Sequence, residues 1–130
     1  MIDHLTIHVT DYKASRDFYL RALAPLGYAL VTEFPRERTP AGAPRYCGLG
    51  VAGKPDFWLR ESNTGTTAMH LAFAAKSRDL VDEFYRAALA HGSKPNGDPG
   101  LRPEYHPNYY GAFVIDLNGH NLEAVCCHFG

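Results

Sequence analysis

The chain has 130 residues, of which 45% are apolar and 21% charged, and its 13 basic side chains nearly balance its 14 acidic ones. This composition is typical of a globular domain and excludes a disordered chain. A net charge of -1 argues against binding to nucleic acid, which needs a clustered basic face. The sequence has neither an apolar run of about 18 residues nor a signal peptide at its start. We therefore expect a cytoplasmic protein that binds neither membranes nor nucleic acid.

The three cysteines are Cys47, Cys126 and Cys127. Their spacing does not fit a zinc site, and adjacent cysteines on a strand point to opposite sides, which disfavours a bond between them. We interpret them as reduced thiols in a reducing compartment.

The sequence repeats itself at an offset of 66 residues, which aligns residues 18–24 with residues 84–90. Five of the seven aligned positions are identical. The same offset aligns three further pairs: His4 with His70, Leu5 with Leu71, and Asp11 with Ser77. A duplication of this kind predicts a single domain built from two similar modules, module one at 1–64 and module two at 65–130.

Module one predicts a strand, a helix and three further strands. The helix is expected to begin after Asp11, a favourable N-cap, and to end at Gly27, with apolar residues at helical spacing between them. Short apolar runs separated by Gly and Pro predict the later strands. Their expected bounds are Tyr28–Phe34, Arg45–Val51 and Asp56–Glu61.

Module two predicts the same order of elements. A strand at 68–74 precedes a helix that is capped by Ser77 and ends at Gly92. A weak strand is expected after Gly92, followed by two stronger ones at Tyr110–Leu117 and His120–His128. Each module is therefore expected to fold as β-α-β-β-β.

Two proline-rich segments, Pro35–Pro44 and Pro95–Pro107, interrupt this pattern. We expect both to be loops, and a functional lid and a passive loop are equally compatible with their length. The segment Gly48–Gly53 matches the dinucleotide-binding fingerprint, but a strand rather than a helix follows it. We interpret those glycines as turn residues.

Alternation along the strands identifies a polar face of the predicted sheet. The apolar positions of each strand must pack under the helices, so His4, His70 and Glu123 are all expected on the opposite face. Two imidazoles and one carboxylate form a common ligand set for a divalent metal with open coordination positions. Solvated or structural histidines are the alternative that alternation alone leaves open.

The paired modules and the two ends of the sequence resemble the vicinal oxygen chelate superfamily. The motifs that carry this resemblance are the opening Ile2-Asp3-His4-Leu5-Thr6-Ile7-His8-Val9-Thr10-Asp11 and the ending Asp116-Leu117-Asn118-Gly119-His120-Asn121-Leu122-Glu123. This superfamily includes glyoxalase I, bleomycin-resistance proteins, fosfomycin-resistance transferases and extradiol dioxygenases. The resemblance implies an α+β fold in which two tandem βαβββ modules form a curved, barrel-like mixed sheet with helices on its outer face.

The resemblance also implies a metal site. Metalloenzymes of this superfamily place ligands on the first strand of each module and on the last strand, which corresponds to His4, His70 and Glu123 here. Imidazole and carboxylate ligands accept iron, manganese, nickel, zinc or cobalt. Such an ion would chelate two neighbouring oxygens of a small-molecule substrate and stabilise an oxyanion. Members with two modules per chain often form homodimers, which we expect here as well.

One segment departs from glyoxalase I, which has a fourth, carboxylate ligand on the last strand of its first module. Alternation assigns that position to Arg60, which cannot bind a cation, and Glu61 would reach the site only through a β-bulge. We expect Arg60 either to bind an anionic group of the substrate or to pair with a nearby carboxylate. Trp58 is expected to form an apolar wall, and a site with three protein ligands fits better than a glyoxalase I site.

Further residues are candidates for binding or proton transfer. Thr6 and Tyr110 are expected to contact substrate, and His106 is a candidate general acid–base group beside Glu123 and Arg60 in the reaction. The leading interpretation is a metal-dependent dioxygenase or a lyase, isomerase or transferase. The alternative is a metal-free protein that binds a drug or metabolite, as the bleomycin-resistance proteins do.

Overall fold

The structure is a computed structural model that describes residues 2–34, 42–65 and 67–127, without the side chain of Cys127. The chain divides into two compact units, residues 1–67 and 68–130. The elements of the first unit are β1 (Leu5–Val9), α1 (Tyr12–Ala22), β2 (Ala29–Phe34), β3 (Tyr46–Val51) and β4 (Lys54–Glu61). Those of the second are β5 (His70–Ala74), α2 (Arg78–Ala90), β6 (Lys94–Leu101), β7 (Tyr109–Ile115) and β8 (Asn121–Cys127).

Each unit contains a four-stranded mixed sheet, and the two sheets have the same topology. The strand orders are β1-β4-β3-β2 and β5-β8-β7-β6. In both, the first strand runs parallel to the last strand of the unit, and the other neighbours are antiparallel. The predicted α+β class and the β-α-β-β-β order of each module are confirmed.

Both helices begin at the predicted N-caps. The Asp11 carboxylate accepts the N–H of Ala14 at 3.1 Å, and the Ser77 hydroxyl accepts the N–H of Leu80 at 3.3 Å. These bonds satisfy donors that have no partner inside the first helical turn. Gly27 and Gly92 follow the helices with φ of +89° and +107°, conformations that glycine adopts without strain. Between Ala22 and Gly27 the chain makes a short 3₁₀ turn.

Alternation along the strands separates a core face from a polar face, as predicted. In the first unit, Ile7, Val9 and Leu59 are at most 1% exposed, and α1 packs on β3 and β4. In the second unit, Leu122 and Ala124 are fully buried, and α2 packs on β6, β7 and β8. Full burial of one such aliphatic side chain contributes about 1.5–3 kcal/mol, so these faces fix the side on which each helix lies.

The second proline-rich segment differs from the prediction, because residues 94–101 form β6 and only residues 102–108 connect it to β7. β6 is an edge strand, where proline is tolerated since one side of its backbone needs no partner. Register shifts around Gly97 adapt the strand to β7. Gly97 has a φ of +154°, and a Cβ there would approach Phe113 to 3.0 Å. Most of the first segment, residues 35–41, lies outside the described residues.

Three smaller predictions concern cysteines, glycines and membranes. Cys47 and Cys126 are buried free thiols, as expected, whereas the side chain of Cys127 is outside the described part. Gly48 and Gly50 lie within β3 rather than in a turn. None of the helices described is long and apolar enough to span a membrane.

Candidate functional site

A buried carboxylate lies at the centre of the polar face of the second sheet. Glu123, on β8, is 2% exposed. Its Oε1 accepts a hydrogen bond from the hydroxyl of Tyr109, and its Oε2 lies 3.0 Å from Nε2 of His70. Burial of an ionised carboxylate is unfavourable unless its oxygens have partners. The side chains on β5 and β7 are therefore what permits an acid at this position.

His70 connects this buried acid to solvent. The His70 side chain is 51% exposed, whereas that of Glu123 is 3% exposed. The imidazole stacks beside Phe113, with ring centroids 6.2 Å apart and an interplanar angle of 27°. Arg102 lies near the same phenyl ring, 5.4 Å from its centroid, and donates to the carbonyl oxygens of Asp98 and Gly100. Phe113 thereby restricts the orientation of the imidazole.

Gly111 provides the space that the Glu123 carboxylate occupies. A Cβ at this position would lie 3.3 Å from Glu123 Oε1 and 3.2 Å from the Tyr109 ring. Any larger side chain would force the acid or the phenol to move. The β7 face that contacts Glu123 thus requires a small residue between Tyr109 and Phe113.

The first unit has a pocket of about 250 Å³ lined by His4, Thr6, Tyr46, Trp58 and Arg60. Four of these five residues were predicted to bind metal or substrate, and the fold brings them together because they alternate on the polar face of β1 and β4. Tyr46 was not predicted. It enters the pocket from β3, where it is the register partner of Arg60.

His4 is held by its neighbour in the sequence. Nδ1 of the imidazole lies 2.7 Å from the Asp3 carboxylate. This hydrogen bond, with the charge of His4, holds the pKa of Asp3 below its ordinary value of 3.8. In a neutral imidazole the proton is then on Nδ1, and Nε2 is the nitrogen with a free lone pair for a metal or a donor.

Arg60 is the cation of this pocket. It is exposed, and within residues 2–34, 42–65 and 67–127 no side chain forms an ion pair with it. Its neighbour Glu61 instead binds Arg45 through two guanidinium nitrogens. The register of β4 with β1 is continuous from Phe57 to Glu61. The bulge that would turn Glu61 into the pocket is therefore not present in this stretch.

The internal repeat corrects the assignment of the fourth-ligand position. Glu123 pairs with Ala72 in the second unit, and the equivalent of Ala72 at the 66-residue offset is Thr6. Thr6 pairs with Trp58. Trp58, rather than Arg60, is thus the equivalent of Glu123, and its indole has a donor but no lone pair for a metal.

Two further predicted residues form hydrogen bonds with groups other than the Glu123 carboxylate. The Tyr110 hydroxyl donates to Asp82 on α2 at 2.7 Å, so this side chain faces the helix rather than the polar side of the sheet. His106 is in the connection between β6 and β7, where its Nδ1 accepts the N–H of Asn108 at 3.0 Å. Tyr109, which was not among the predicted site residues, is the tyrosine of β7 that contacts Glu123.

The donors of the second unit fit a divalent metal. Metal–nitrogen and metal–oxygen distances of about 2.1 Å place two neighbouring ligand atoms about 3.0 Å apart in octahedral and about 3.4 Å apart in tetrahedral geometry. His70 Nε2 and Glu123 Oε2 are 3.0 Å apart, a separation that also suits a direct hydrogen bond. Among the described residues, however, no group of three His, Cys, Asp or Glu side chains is gathered closely enough to hold an ion. The set of His4, His70 and Glu123 therefore stays a prediction.

Comparison with known proteins identifies the family. The model of the Glyoxalase/Bleomycin resistance protein/Dioxygenase superfamily matches residues 1–124. The chain therefore belongs to this superfamily, as its sequence motifs indicated. No curated protein sequence matches it.

Solved structures with the same fold come from several members of the superfamily. A glyoxalase/bleomycin resistance protein from Albidiferax ferrireducens is 23% identical, with a TM-score of 0.75 and coverage of 97% of this chain and 98% of that chain. The fosfomycin resistance protein FosX from Listeria monocytogenes is 16% identical, with a TM-score of 0.73 and coverage of 99% and 94%. A glyoxalase I mutant from Zea mays is 19% identical, with a TM-score of 0.70, and covers 95% of this chain and 43% of its own. At these identities the similarity establishes the fold.

Proposed function

We propose that this protein is a small metal-dependent enzyme whose divalent ion is held by His4, His70 and Glu123. The substrate is a small molecule that chelates the ion through two neighbouring oxygens, and the reaction is of the dioxygenase or the lyase, isomerase or transferase type. The observation that carries this proposal is the buried Glu123 carboxylate 3.0 Å from the imidazole of an exposed histidine. This pair offers one oxygen and one nitrogen ligand at a separation that is compatible with a shared ion in octahedral geometry.

Other residues on the polar faces of the two sheets position the ligands or bind the substrate. Tyr109 and Phe113 hold the acid and the imidazole of the second unit in place. In the first unit, Arg60 binds an anionic group of the substrate and Trp58 contacts its apolar part. When bound, the metal supplies a Lewis acid that stabilises negative charge on the chelating oxygens.

Proton transfer is assigned to His106, since one nitrogen of a neutral imidazole accepts a proton while the other carries one. Thr6 contributes a hydroxyl to the pocket of the first unit. Tyr110 is not retained as a substrate contact, because its hydroxyl is bonded to Asp82. We also propose that the protein is a cytoplasmic homodimer, as the superfamily resemblance implies.

A second candidate function is metal-free binding of a small molecule, as in the bleomycin-resistance type. One observation favours it: both oxygens of Glu123 already have partners within the chain, Tyr109 and His70. A buried carboxylate with satisfied oxygens is stable without an ion. The pocket of the first unit would then be the whole of the binding site.

Elemental analysis of the purified protein distinguishes the two functions. We expect about one divalent metal per chain after reconstitution, since the three ligands are proposed to form one site. The double variant His70→Ala/Glu123→Ala, prepared identically, should lose it. His91→Ala is the matched control, because this exposed histidine at the end of α2 is bonded to the carbonyl of Ala87.

The metal content of the wild type, the control and the double variant distinguishes the two functions. Retention of metal in the wild type and the control, with loss in the double variant, supports the enzyme. Iron would direct assays to oxygen chemistry, whereas nickel, zinc, cobalt or manganese would direct them to lyase and transferase reactions. Manganese would also keep dioxygenase assays in use. Failure of the wild type to hold any of these metals after reconstitution contradicts the enzyme and favours the metal-free binder.

A further inference from the structure

The pocket of the first unit contains an aromatic surface that depends on Gly48. Gly48 is the register partner of Trp58, and a Cβ at Gly48 would lie 2.9 Å from two carbons of the indole. The indole therefore packs closely against β3 at Gly48, where only glycine leaves enough space. The half-buried Trp58 side chain also lines the pocket.

The aromatic surface extends beyond the indole. The ring centroids of Tyr46 and Trp58 are 6.2 Å apart, and the two rings are tilted by 47°. Phe34 stacks on Tyr46 at 4.7 Å with an interplanar angle of 18°. Three rings thus lie in a row across β4, β3 and β2. Such a row favours a planar, conjugated ligand, because aromatic rings gain about 0.5–1.5 kcal/mol from ordered contact beyond their buried area.

A permanently charged cation, Arg60, lies at the edge of this surface. Arg60 is two residues beyond Trp58 on the same face of β4 and is adjacent to Tyr46 on β3. The part of the chain that the structure describes provides no carboxylate to neutralise it. A guanidinium presents two parallel N–H groups that match the two oxygens of a carboxylate.

The size of the pocket limits the ligand. Pockets for drug-sized molecules have volumes of about 300–1,000 Å³, whereas this one has about 250 Å³. A compound with one aromatic ring suits this space.

From these observations we propose that the pocket of the first unit recognises a single-ring aromatic carboxylate. Its ring lies against Trp58 and its carboxylate binds Arg60. This inference rests on the proposed function for its role in a reaction, since it names the class of substrate for that site. The binding itself depends on residues of the first unit and does not require a metal.

Benzoate is the probe, and binding is measured by isothermal titration calorimetry on protein treated with a chelator. Trp58 is the only tryptophan of the chain, so a change in its fluorescence reports that benzoate occupies this pocket. We expect saturable binding at millimolar concentration and a fluorescence change with the same midpoint. Cyclohexanecarboxylate, which has the charge without the flat ring, and benzamide, which has the ring without the charge, should each bind several-fold more weakly.

Substitutions identify the groups that recognise benzoate. Arg60→Ala should weaken binding by about ten-fold or more, because a charge-assisted bidentate contact is lost, and Arg60→Lys should have an intermediate effect. Gly48→Ala should weaken it by displacing the indole. Arg86→Ala removes an exposed arginine of α2 and should leave the affinity unchanged. Circular dichroism verifies that each variant is folded.

Each contrary result overturns a defined part of the proposal. Absence of saturable benzoate binding in folded wild type overturns it entirely, whether or not the protein holds metal in the elemental analysis. Equal affinity for cyclohexanecarboxylate overturns the aromatic class, and equal affinity for benzamide overturns the role of the carboxylate. Loss of metal binding with retained benzoate binding would contradict only the proposed enzyme.

Discussion

The two units have the same topology and anchor their helices by the same kind of contact, with the partners exchanged. In the first unit a helix tyrosine, Tyr12, donates to a strand carboxylate, Glu33, at 2.6 Å. In the second a strand tyrosine, Tyr110, donates to a helix carboxylate, Asp82, at 2.7 Å. The two contacts lie at different places in the repeat, because β2 is the edge strand of the first sheet, whereas β7 has the position of β3 in the second.

The residues at the centre of the polar face differ between the two sheets. The central pair of the first unit is Gly48 and Trp58, and the equivalent pair of the second is Phe113 and Glu123. Gly48 on β3 is therefore replaced by the larger Phe113 on β7. The indole of Trp58 on β4 takes the position that the buried acid Glu123 has on β8. The same backbone topology therefore supports two different polar faces. In the first unit an aromatic surface lies beside Arg60, and in the second His70 lies beside the Glu123 carboxylate.

The largest expected effect tests the part that the units share. Phe18 and Phe84 occupy the same position of the repeat and are 2% and 0% exposed. Replacement of either by alanine should lower the free energy of unfolding by about 3–5 kcal/mol, since each leaves a cavity under its helix. Urea denaturation followed by circular dichroism measures the loss. A loss below about 1 kcal/mol in one variant alone would contradict the equivalence of the two cores.

A smaller effect is expected from the contact that is particular to the second unit. Tyr109→Phe removes the donor to Glu123 Oε1 and leaves a buried acceptor without its partner, which costs about 1–3 kcal/mol. Tyr105→Phe is the control, because Tyr105 is 63% exposed. The free energy of unfolding in urea provides the measurement. Equal stabilities of the two variants would show that the Tyr109 hydroxyl does not support the buried acid.

The smallest expected effect is on the pH dependence of stability, through the contacts of Glu33 on β2 with Tyr12 and Arg16 on α1. Hydrogen bonds from Tyr12 and Arg16 hold the pKa of Glu33 below its ordinary value of 4.5. This carboxylate therefore stabilises the fold above pH 4.5, and the contribution is lost as the pH falls through the lowered pKa. Glu33→Gln should make the free energy of unfolding less dependent on pH in this acidic range.

The variant Tyr12→Phe provides an independent measure of the same contact. Without the phenol, the pKa of Glu33 should rise toward its ordinary value, which a titration followed by NMR of the Glu33 side-chain carboxyl would detect. An unchanged pKa would show that Arg16, 2.7 Å from the same carboxylate, is sufficient to hold it.

Much of the fold could be predicted because its signals are local. Asp11 and Ser77 cap the helices as expected, and alternation correctly separates Leu122 and Ala124 from Glu123. Caps and alternation depend on residues within one turn or one strand, so no distant contact is needed to read them.

The sequence did not predict which side chains of β7 face Glu123, because this depends on the register between strands. Tyr110 was expected to contact substrate, but alternation from Phe113 along β7 turns Tyr109 toward Glu123 and Tyr110 toward α2. A shift of one residue exchanges the two faces of a strand. Similarly, only the pairing of β4 with β1 shows that Trp58 rather than Arg60 is the equivalent of Glu123.

By itself the sequence determined the duplication, the order of the elements and the assignment of His4, His70 and Glu123 to the polar face of their own sheets, because these depend on spacing along the chain. The family was indicated by the resemblance of the opening and ending motifs. Only the tertiary structure decided that Tyr109 holds Glu123 and that Gly48 makes room for Trp58. Both contacts join strands through hydrogen-bond register and close packing, which are properties of neighbours in space.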